Sequence, residues 1–361
     1  DADILCLQEV WDQTDKVAIQ DAAAAAFPHS AFFEDDLDTP VEDATDQQGQ
    51  VPPAPTTVPC PADVEAEEGV TVADEMDDAI DCLKANCSTI PDSEDGRTIS
   101  EACASSECGE SVAPLIFGDP QEQRCYSCIV TQLPTETFGD MRSRCPTVVN
   151  QDLAFQGQNG VMILSRHPLK NVEELVIPGT WNRRTILSAT VELPTGAELD
   201  TYCNHLTPIF TGLFFPYTGQ YVGWQEEQEL QAEKLINYVT QTGDNRPAVI
   251  LGDLNAGHAY PAQEIVAEGE ATLDLLELVF EPAYTTDYAP LCTFCSTNPV
   301  TNPGNDPDET SVWIDHILLD KLPAASVVSS ERVYDEDVVP VGNQTVPLSD
   351  HFGMRSVITV P

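Results

Sequence analysis

The chain is poor in positive charge. Only 15 of its 361 residues are Lys or Arg, against 61 Asp and Glu, for a net charge of −46. A protein that grips a nucleic-acid backbone normally meets the phosphates with a basic stripe, and none runs through this sequence. Its one adjacent basic pair is Arg183-Arg184. The plainest meaning of such acidity is solubility at high salt, where self-repulsion is screened to about 3 Å. It argues against tight nucleic-acid binding, while leaving open a nuclease whose local groove differs from the average. Long apolar runs are missing too: no transmembrane stretch, leader peptide or lipidation motif is visible within this sequence. The start at Asp1-Ala2-Asp3, directly before a strand, reads as if an upstream portion lies outside this sequence.

Cysteine, by contrast, is abundant. Eight of the 12 (Cys60, Cys82, Cys87, Cys103, Cys108, Cys125, Cys128, Cys145) crowd into one segment. An even count in a loop-rich stretch points to disulfides and an oxidising compartment, extracellular or periplasmic. Cys125-x-x-Cys128 has zinc spacing, but the other spacings are irregular and no histidine lies among them, so disulfides are favoured, with connectivity open. Cys292-x-x-Cys295 suits a local disulfide better than a metal clip. Cys6 and Cys203, within expected strands, are either core thiols or a cross-strand pair.

Composition divides the chain. Asp3–Val10 reads as a buried strand, 12–26 as a helix closed by Pro28, and His29–Phe33 as a strand. Residues 35–61, rich in Asp, Gln and Pro, read as a mobile linker. Val72, Met76, Ile80 and Leu83 have helical spacing inside a small disulfide-stapled insertion, which has too few apolar residues for a large core of its own. Strands return at 160–164, 185–193, 200–206, 248–251, 311–319 and 353–360, with a helix over 225–240. Strands with few interleaved helices predict a mixed sheet arrangement. The expected domain is therefore 1–34 plus 157–361, interrupted by an acidic linker and cysteine-rich insertion at 35–156.

Five motifs place short polar cores beside apolar runs: Leu7-Gln8-Glu9, Asn204-His205-Leu206, Gly252-Asp253-Leu254-Asn255, Ile314-Asp315-His316 and Ser349-Asp350-His351. A carboxylate ending a buried strand is costly unless paired or bound to a cation, which singles out Glu9. Asp253 and Asn255 would project to one side of an extended segment, offering a proton acceptor and a neutral donor. Each motif alone has a plain structural explanation, Asp-x-Asn being also turn-like and a lone histidine being often a core residue. Five in fixed order are hard to obtain by chance.

Together with Asn159-Gly-Val-Met-Ile-Leu-Ser-Arg-His-Pro168, this order resembles the endonuclease/exonuclease/phosphatase superfamily, which includes deoxyribonuclease-I-like nucleases and neutral sphingomyelinases. The resemblance covers the expected domain and not the cysteine-rich stretch. It implies an α/β (α+β) four-layer sandwich of two mixed β-sheets flanked by helices. It also implies a phosphoester hydrolase with Mg²⁺ (Mn²⁺ or Ca²⁺ as alternatives) on Glu9, helped by Asp350. Asp253 would hold the attacking water, Asn255 the phosphate or that water, and His351 the phosphate, with Asp315 hydrogen-bonded to His351. His205 would stabilise the leaving oxygen. His316 departs from the sphingomyelinase-like pattern and reads as a supporting or core residue; His167 reads as a strand-end turn. Arg183 and Arg184 suit a phosphate as well as a surface salt bridge, with neither arginine preferred. The family's asparagine on a strand upstream of LQE is not in this sequence, so one sheet is expected to be short by a strand.

The uncharged aromatic stretch 208–224 is either a loop packed on the core or an apolar lip that touches lipid or a membrane interface transiently. Three functions follow: a secreted phosphodiesterase acting on phospholipid head groups (favoured), a secreted deoxyribonuclease-I-like nuclease, or a catalytically idle binding module. The complete residue set counts against the last. Oligomeric state is not legible.

Overall fold

A computed structural model describes residues 2–34, 57–88, 101–133, 136–149, 154–211, 215–243, 245–302, 304, 309–342 and 344–361. The expected linker falls largely outside these residues, as do parts of the insertion and residues 212–214 of the aromatic stretch.

The architecture is a mixed α/β sandwich. A six-stranded sheet runs in the order Glu281–Pro282, Asp315–Asp320, Ala248–Asp253, Glu198–His205, Arg184–Glu192, Leu169–Ile177. All its pairings are antiparallel except that of Glu198–His205 with Ala248–Asp253. Against it lies a second layer, made of a three-stranded sheet (Ile4–Leu7, Met162–Ser165, His29–Ala31) and the pair Val327–Val333 with Gly353–Ile358.

Residue parity across the large sheet explains both its core and its site. Side chains alternate between faces along a strand. Tyr202, Ile250 and Leu318 are register partners and pack against the helices Trp224–Thr242 and Glu270–Glu277 through Leu235, Val239, Leu273 and Leu276. The next row, Leu187, Cys203, Leu251 and Ile317, faces the second layer. Covered on both faces, the strand Arg184–Glu192 reads as a nearly unbroken buried run rather than an alternating one.

Two of the longer strands escape the sequence pattern. In Leu169–Ile177 the Lys-Asn-Val-Glu run of 170–173 lies exposed on the edge strand of the sheet, and the register shifts between Lys170 and Glu173. Val327–Val333 is mostly polar and pairs only with Gly353–Ile358.

The cysteine-rich segment has more core than its composition suggests. Helices Val72–Cys82, Gly109–Phe117, Pro120–Gln132 and Phe138–Arg144 enclose a cluster of their own, including Met76, Ile80, Leu115, Ile129, Phe138 and Met141. Half-cystines make up much of the rest of that cluster, so covalent bonds replace some of the apolar burial a larger core would provide. The pairs are Cys60–Cys125, Cys82–Cys108, Cys87–Cys103 and Cys128–Cys145. Cys125 and Cys128 thus belong to different disulfides, which removes the zinc alternative. Cys292–Cys295 is also bonded.

Cys6–Cys203 joins the two layers directly. It sits three residues before Glu9 and two before His205, so it ties together the strands that deliver both. Replacing both cysteines by alanine is expected to lower unfolding free energy by about 2–4 kcal/mol. Urea denaturation of the oxidised proteins checks this, and a loss under about 0.5 kcal/mol would mean that packing alone holds the layers together.

Candidate active site

The parity that builds the core also builds the site. His205, Asp253 and Asp315 are register partners on three adjacent strands, one residue beyond the row Asn204, Gly252, His316. They therefore project toward the second layer, and His316 projects away from it. That opposition explains why two neighbouring residues differ in role. His316 is buried, with Nε2 2.9 Å from the Ala256 carbonyl and Nδ1 3.3 Å from the Tyr284 hydroxyl, and burial pushes its pKa down to about 4. Gly252 is demanded by close approach, since a Cβ there would lie 2.1 Å from the Asn204 carbonyl oxygen.

His351 comes to this row from the loop before the last strand. Its Nδ1 lies 2.8 Å from Asp315 Oδ2. Burial opposes its charge, but the Asp315 carboxylate, by charge and hydrogen bond, together with Asp253 and Asp350, pushes its pKa up to about 10. The ring is therefore an imidazolium at neutral pH, with Nε2 left for a ligand. Asp350 accepts a hydrogen bond from Ser349 Oγ at 3.0 Å, and its carbonyl is held by Asn298 and Thr301 at 2.9 and 2.7 Å.

Asp253 is buried. Burial, reinforced by Asp315 across the strand pair, raises its pKa to about 8, against the pull of His351 and the Asn255 N–H. His205 Nε2 lies 3.5 Å from Asp253 Oδ2, while Nδ1, also buried, has no hydrogen-bond partner. Burial, then the charges of Arg184 and His351, holds the His205 pKa well below its ordinary value. It is a neutral ring that can donate or accept one bond, rather than a proton store.

Glu9 departs from the simple expectation. The strand ends at Leu7, and Glu9 follows in the left-handed region at φ 59°, with solvent access. Desolvation by the surrounding protein still raises its pKa. Arg184 opposes that rise, Asp350 adds to it, His351 opposes it, and Asp315 adds to it. Asn255 departs as well. At φ 47° it has left the extended strand, and its Nδ2 donates to the Leu206 carbonyl at 2.8 Å while its N–H donates to Asp253 Oδ1 at 2.8 Å. The alternation expected for Asp253 and Asn255 fails because the strand ends between them. Left-handed non-glycine residues at Glu9 and Asn255 are the kind of local strain that gathers at functional sites.

The two arginines separate. Both are buried rather than surface-paired. Arg184, 4% exposed, interacts with Glu9, Asp253 and Glu227, and its Nε and Nη1 have no hydrogen-bond partner. A buried guanidinium with unmet donors beside carboxylates is a ready anion contact.

The donor set fits a hard divalent cation. Ligand atoms of Asp253, Asp315 and His351 lie within 4.8 Å of one another. Because His351 Nδ1 and Asp315 Oδ2 already bond each other, we regard this trio as neighbours of an ion rather than its whole seat. Glu9 and Asp350 share their field, and neighbouring carboxylates add to the rise in the pKa of Glu9 and of Asp253, as an excess of negative charge awaiting a cation would. A cavity of about 380 Å³, lined by residues such as Asp200, Tyr202 and Arg246, contains none of these residues.

One group escaped the sequence reading. Helix Trp224–Thr242 turns polar residues inward at Glu227, Gln228 and Gln231, where apolar ones would be expected. Glu227, 1% exposed, accepts from Thr180 N–H (2.9 Å), Thr180 Oγ1 (2.6 Å), Thr207 Oγ1 (3.1 Å) and the Tyr217 hydroxyl (3.0 Å). Gln228 donates to the Thr207 and Asn255 carbonyls, and Gln231 to the Pro178 carbonyl and Thr207 Oγ1. The segments carrying Arg184, His205 and Asn255 are thus pinned to one helix. The available signal was three long polar residues on a helix face otherwise lined by Leu230, Leu235 and Val239. Glu227→Gln should lower stability by about 2–3 kcal/mol, since a neutral amide cannot accept all four bonds. Denaturant unfolding tests it; a loss under about 1 kcal/mol would show that the carboxylate is dispensable.

The aromatic stretch packs partly on itself. Trp181, Phe210, Phe215 and Trp224 form a mutual cluster with ring centroids 5.0 to 5.8 Å apart.

Carboxylates and histidines at strand ends between two layers, with a buried arginine, form a centre suited to hydrolysis of a phosphate ester. The chain belongs to the Endonuclease/Exonuclease/phosphatase family, whose model matches residues 1–351; nucleases and phosphatases are hydrolases of phosphoesters. Among solved structures the chain is similar to Staphylococcus aureus beta toxin (18% identity, TM-score 0.42, covering 55% of this chain and 68% of that one). It is similar to a mutant of that toxin with bound magnesium ions (18%, TM-score 0.40, 55% and 68%). A third is the 3'-5' exonuclease NExo from Neisseria meningitidis (18%, TM-score 0.38, 56% and 75%). No curated protein matches in sequence.

Proposed function

We propose that the protein is a secreted, Mg²⁺-dependent phosphodiesterase that cleaves phospholipid head groups. The observation that carries the hydrolytic reading is the aligned row His205, Asp253, Asp315, closed by His351 and neighboured by Arg184, whose Nε and Nη1 have no hydrogen-bond partner. Glu9 and Asp350 would hold the ion, which when bound neutralises charge on the phosphate. The Asp253 carboxylate orients the attacking water and accepts its proton. Arg184 and the His351 imidazolium hold phosphate oxygens, Asp315 fixes the His351 ring, and neutral His205 donates to the leaving oxygen. Asn255, bonded to Leu206, keeps the two site loops in register. Arg183, buried beside Arg184, is the less favoured phosphate contact.

Secretion is supported by the six disulfides. The lipid lean has a local argument. The hairpin of Val339–Val341 and Gln344–Val346 leads straight into Ser349-Asp350-His351, and beside it Val338 (57% exposed), Val341 (52%) and Leu348 (61%) face solvent. Apolar side chains displayed next to a phosphoester site suit a lipid surface better than a polyanion. The arginines, being buried, form no basic groove for DNA. No helix among the described residues is long and apolar enough to cross a membrane.

The test offers the full-length protein sphingomyelin liposomes and plasmid DNA in parallel, with Mg²⁺ or chelator and with His351→Ala as control. Lipid cleavage that needs both Mg²⁺ and His351 is expected. DNA cleavage with the same dependence would establish the nuclease instead. Cleavage of neither, with no metal bound, would leave an idle module.

A further inference from the structure

The cysteine-rich segment is stapled by four disulfides. We propose that it is a wall of the substrate site, which sets an aromatic pair, Trp11 and Phe155, beside His205 to receive the apolar leaving alcohol of the phosphoester. The placement stands on geometry; which substrate group lies there rests on the phosphodiesterase reading.

Helix Pro120–Gln132 is the most constrained element of the segment. Cys125 ties it to Cys60 and Cys128 ties it to Cys145, and Asp119 caps its first turn reciprocally with Glu122. This helix packs against the turn Ala154–Gly157. In that turn Phe155 and Gln156 are left-handed, at φ 53° and 57°, and Ala154 N–H is anchored on the Trp181 carbonyl at 2.9 Å. Two consecutive non-glycine residues in that region persist only where surroundings hold them. The same helix touches the aromatic loop, Thr218 Oγ1 lying 3.2 Å from Ser127 Oγ.

The strained turn delivers Phe155 flat onto Trp11, with centroids 4.4 Å apart and planes within 3°. Trp11 in turn has the His205 ring at 6.0 Å and the Arg184 guanidinium at 5.9 Å from its own. Gly160 makes room for it, because a Cβ there would fall 2.8 Å from the indole. Trp11 and Phe155 both keep some solvent access. The pair therefore presents an apolar surface on the side of the site where His205 meets the leaving oxygen. The cation–π contact also steadies the arginine that awaits the phosphate.

The test uses bis(4-nitrophenyl) phosphate, whose leaving group is flat and apolar, with the full-length protein and Mg²⁺. Phe155→Leu and Trp11→Leu are expected to raise KM about five- to tenfold with kcat within threefold. The aromatic replacements Trp11→Phe and Phe155→Tyr should stay within twofold of wild type on both. The Cys128→Ala, Cys145→Ala double variant should show the same KM rise, although it touches neither ring. Acrylamide quenching, compared with and without Trp11→Phe to isolate Trp11 among four tryptophans, should show Trp11 more accessible in the double variant. Should that variant fail to fold, Ser127→Val is expected to raise KM about twofold.

An unchanged KM in the leucine variants would overturn the aromatic wall. An unchanged Trp11 accessibility and KM in the disulfide or Ser127 variant would overturn the insertion's part in it. If the wild type hydrolyses no phosphodiester, the functional reading fails, and quenching still decides whether the insertion holds Trp11.

Discussion

Asp253→Asn will lower kcat/KM for phosphodiester cleavage by about 10³-fold, yet leave the metal-free protein more stable than the wild type. The two effects have one origin. Asp253 is buried at the end of its strand, directly opposite Asp315. Burial first, and the Asp315 charge next, lift its pKa from 3.8 to about 8. The sign follows from proton counts. Between about pH 4 and pH 8 the folded protein holds a proton that the unfolded chain has released, so each rise in pH across that window costs stability. Asparagine carries no such proton and keeps the shape. In chelator, the advantage of Asp253→Asn should therefore be absent near pH 4 and grow toward pH 8, as read from thermal midpoints. A variant less stable than wild type at pH 8 would show that the carboxylate is well compensated without a cation. A variant retaining a tenth of the activity would remove Asp253 from the chemistry.

The sequence displayed this site more readily than it displayed the geometry around it. Motif residues are legible because each combines a polar group with an apolar strand, and five such coincidences in order point one way. Strand parity then does most of the assembly: His205, Asp253 and Asp315 fall on one face because each sits an even number of residues from an inward-facing partner. Four things were not legible. Left-handed backbone at Glu9 and Asn255 depends on what the loops pack against, which a pattern of residue types does not record. Buried polar residues such as Glu227 and Gln231 look like any exposed helix side until their partners are known. Arg183 and Arg184 are neighbours in sequence with equal claims, and only the fold shows that Arg184 shares its surroundings with Glu9 and Asp253. The cysteine connectivity is equally a property of the fold, since Cys6 and Cys203 are 197 residues apart.

The His351–Asp315 pair should behave as one functional unit. His351→Ala and Asp315→Asn are each expected to lower kcat/KM by about 10²- to 10⁴-fold, and the double variant should be no more than about fivefold worse than the poorer single. The reason is the 2.8 Å contact between Nδ1 and Oδ2. In the proposed mechanism Asp315 would act on the substrate only through His351: its carboxylate fixes the tautomer and sustains the imidazolium against a burial that would discharge it. Once the ring is gone, that help has no recipient. The neutral amide in Asp315→Asn leaves the ring in place but withdraws the charge. The His351 pKa should then fall, and the alkaline limb of the pH–rate profile should move down by about a unit or more. His351→Ala has no ring to titrate and should lose that limb altogether. Two separate acid–base groups would instead give multiplicative losses and leave the limb where it stands. A multiplicative double variant would assign Asp315 a contact of its own, with the metal ion as the first candidate, because its ligand atom lies within 4.8 Å of that of Asp253.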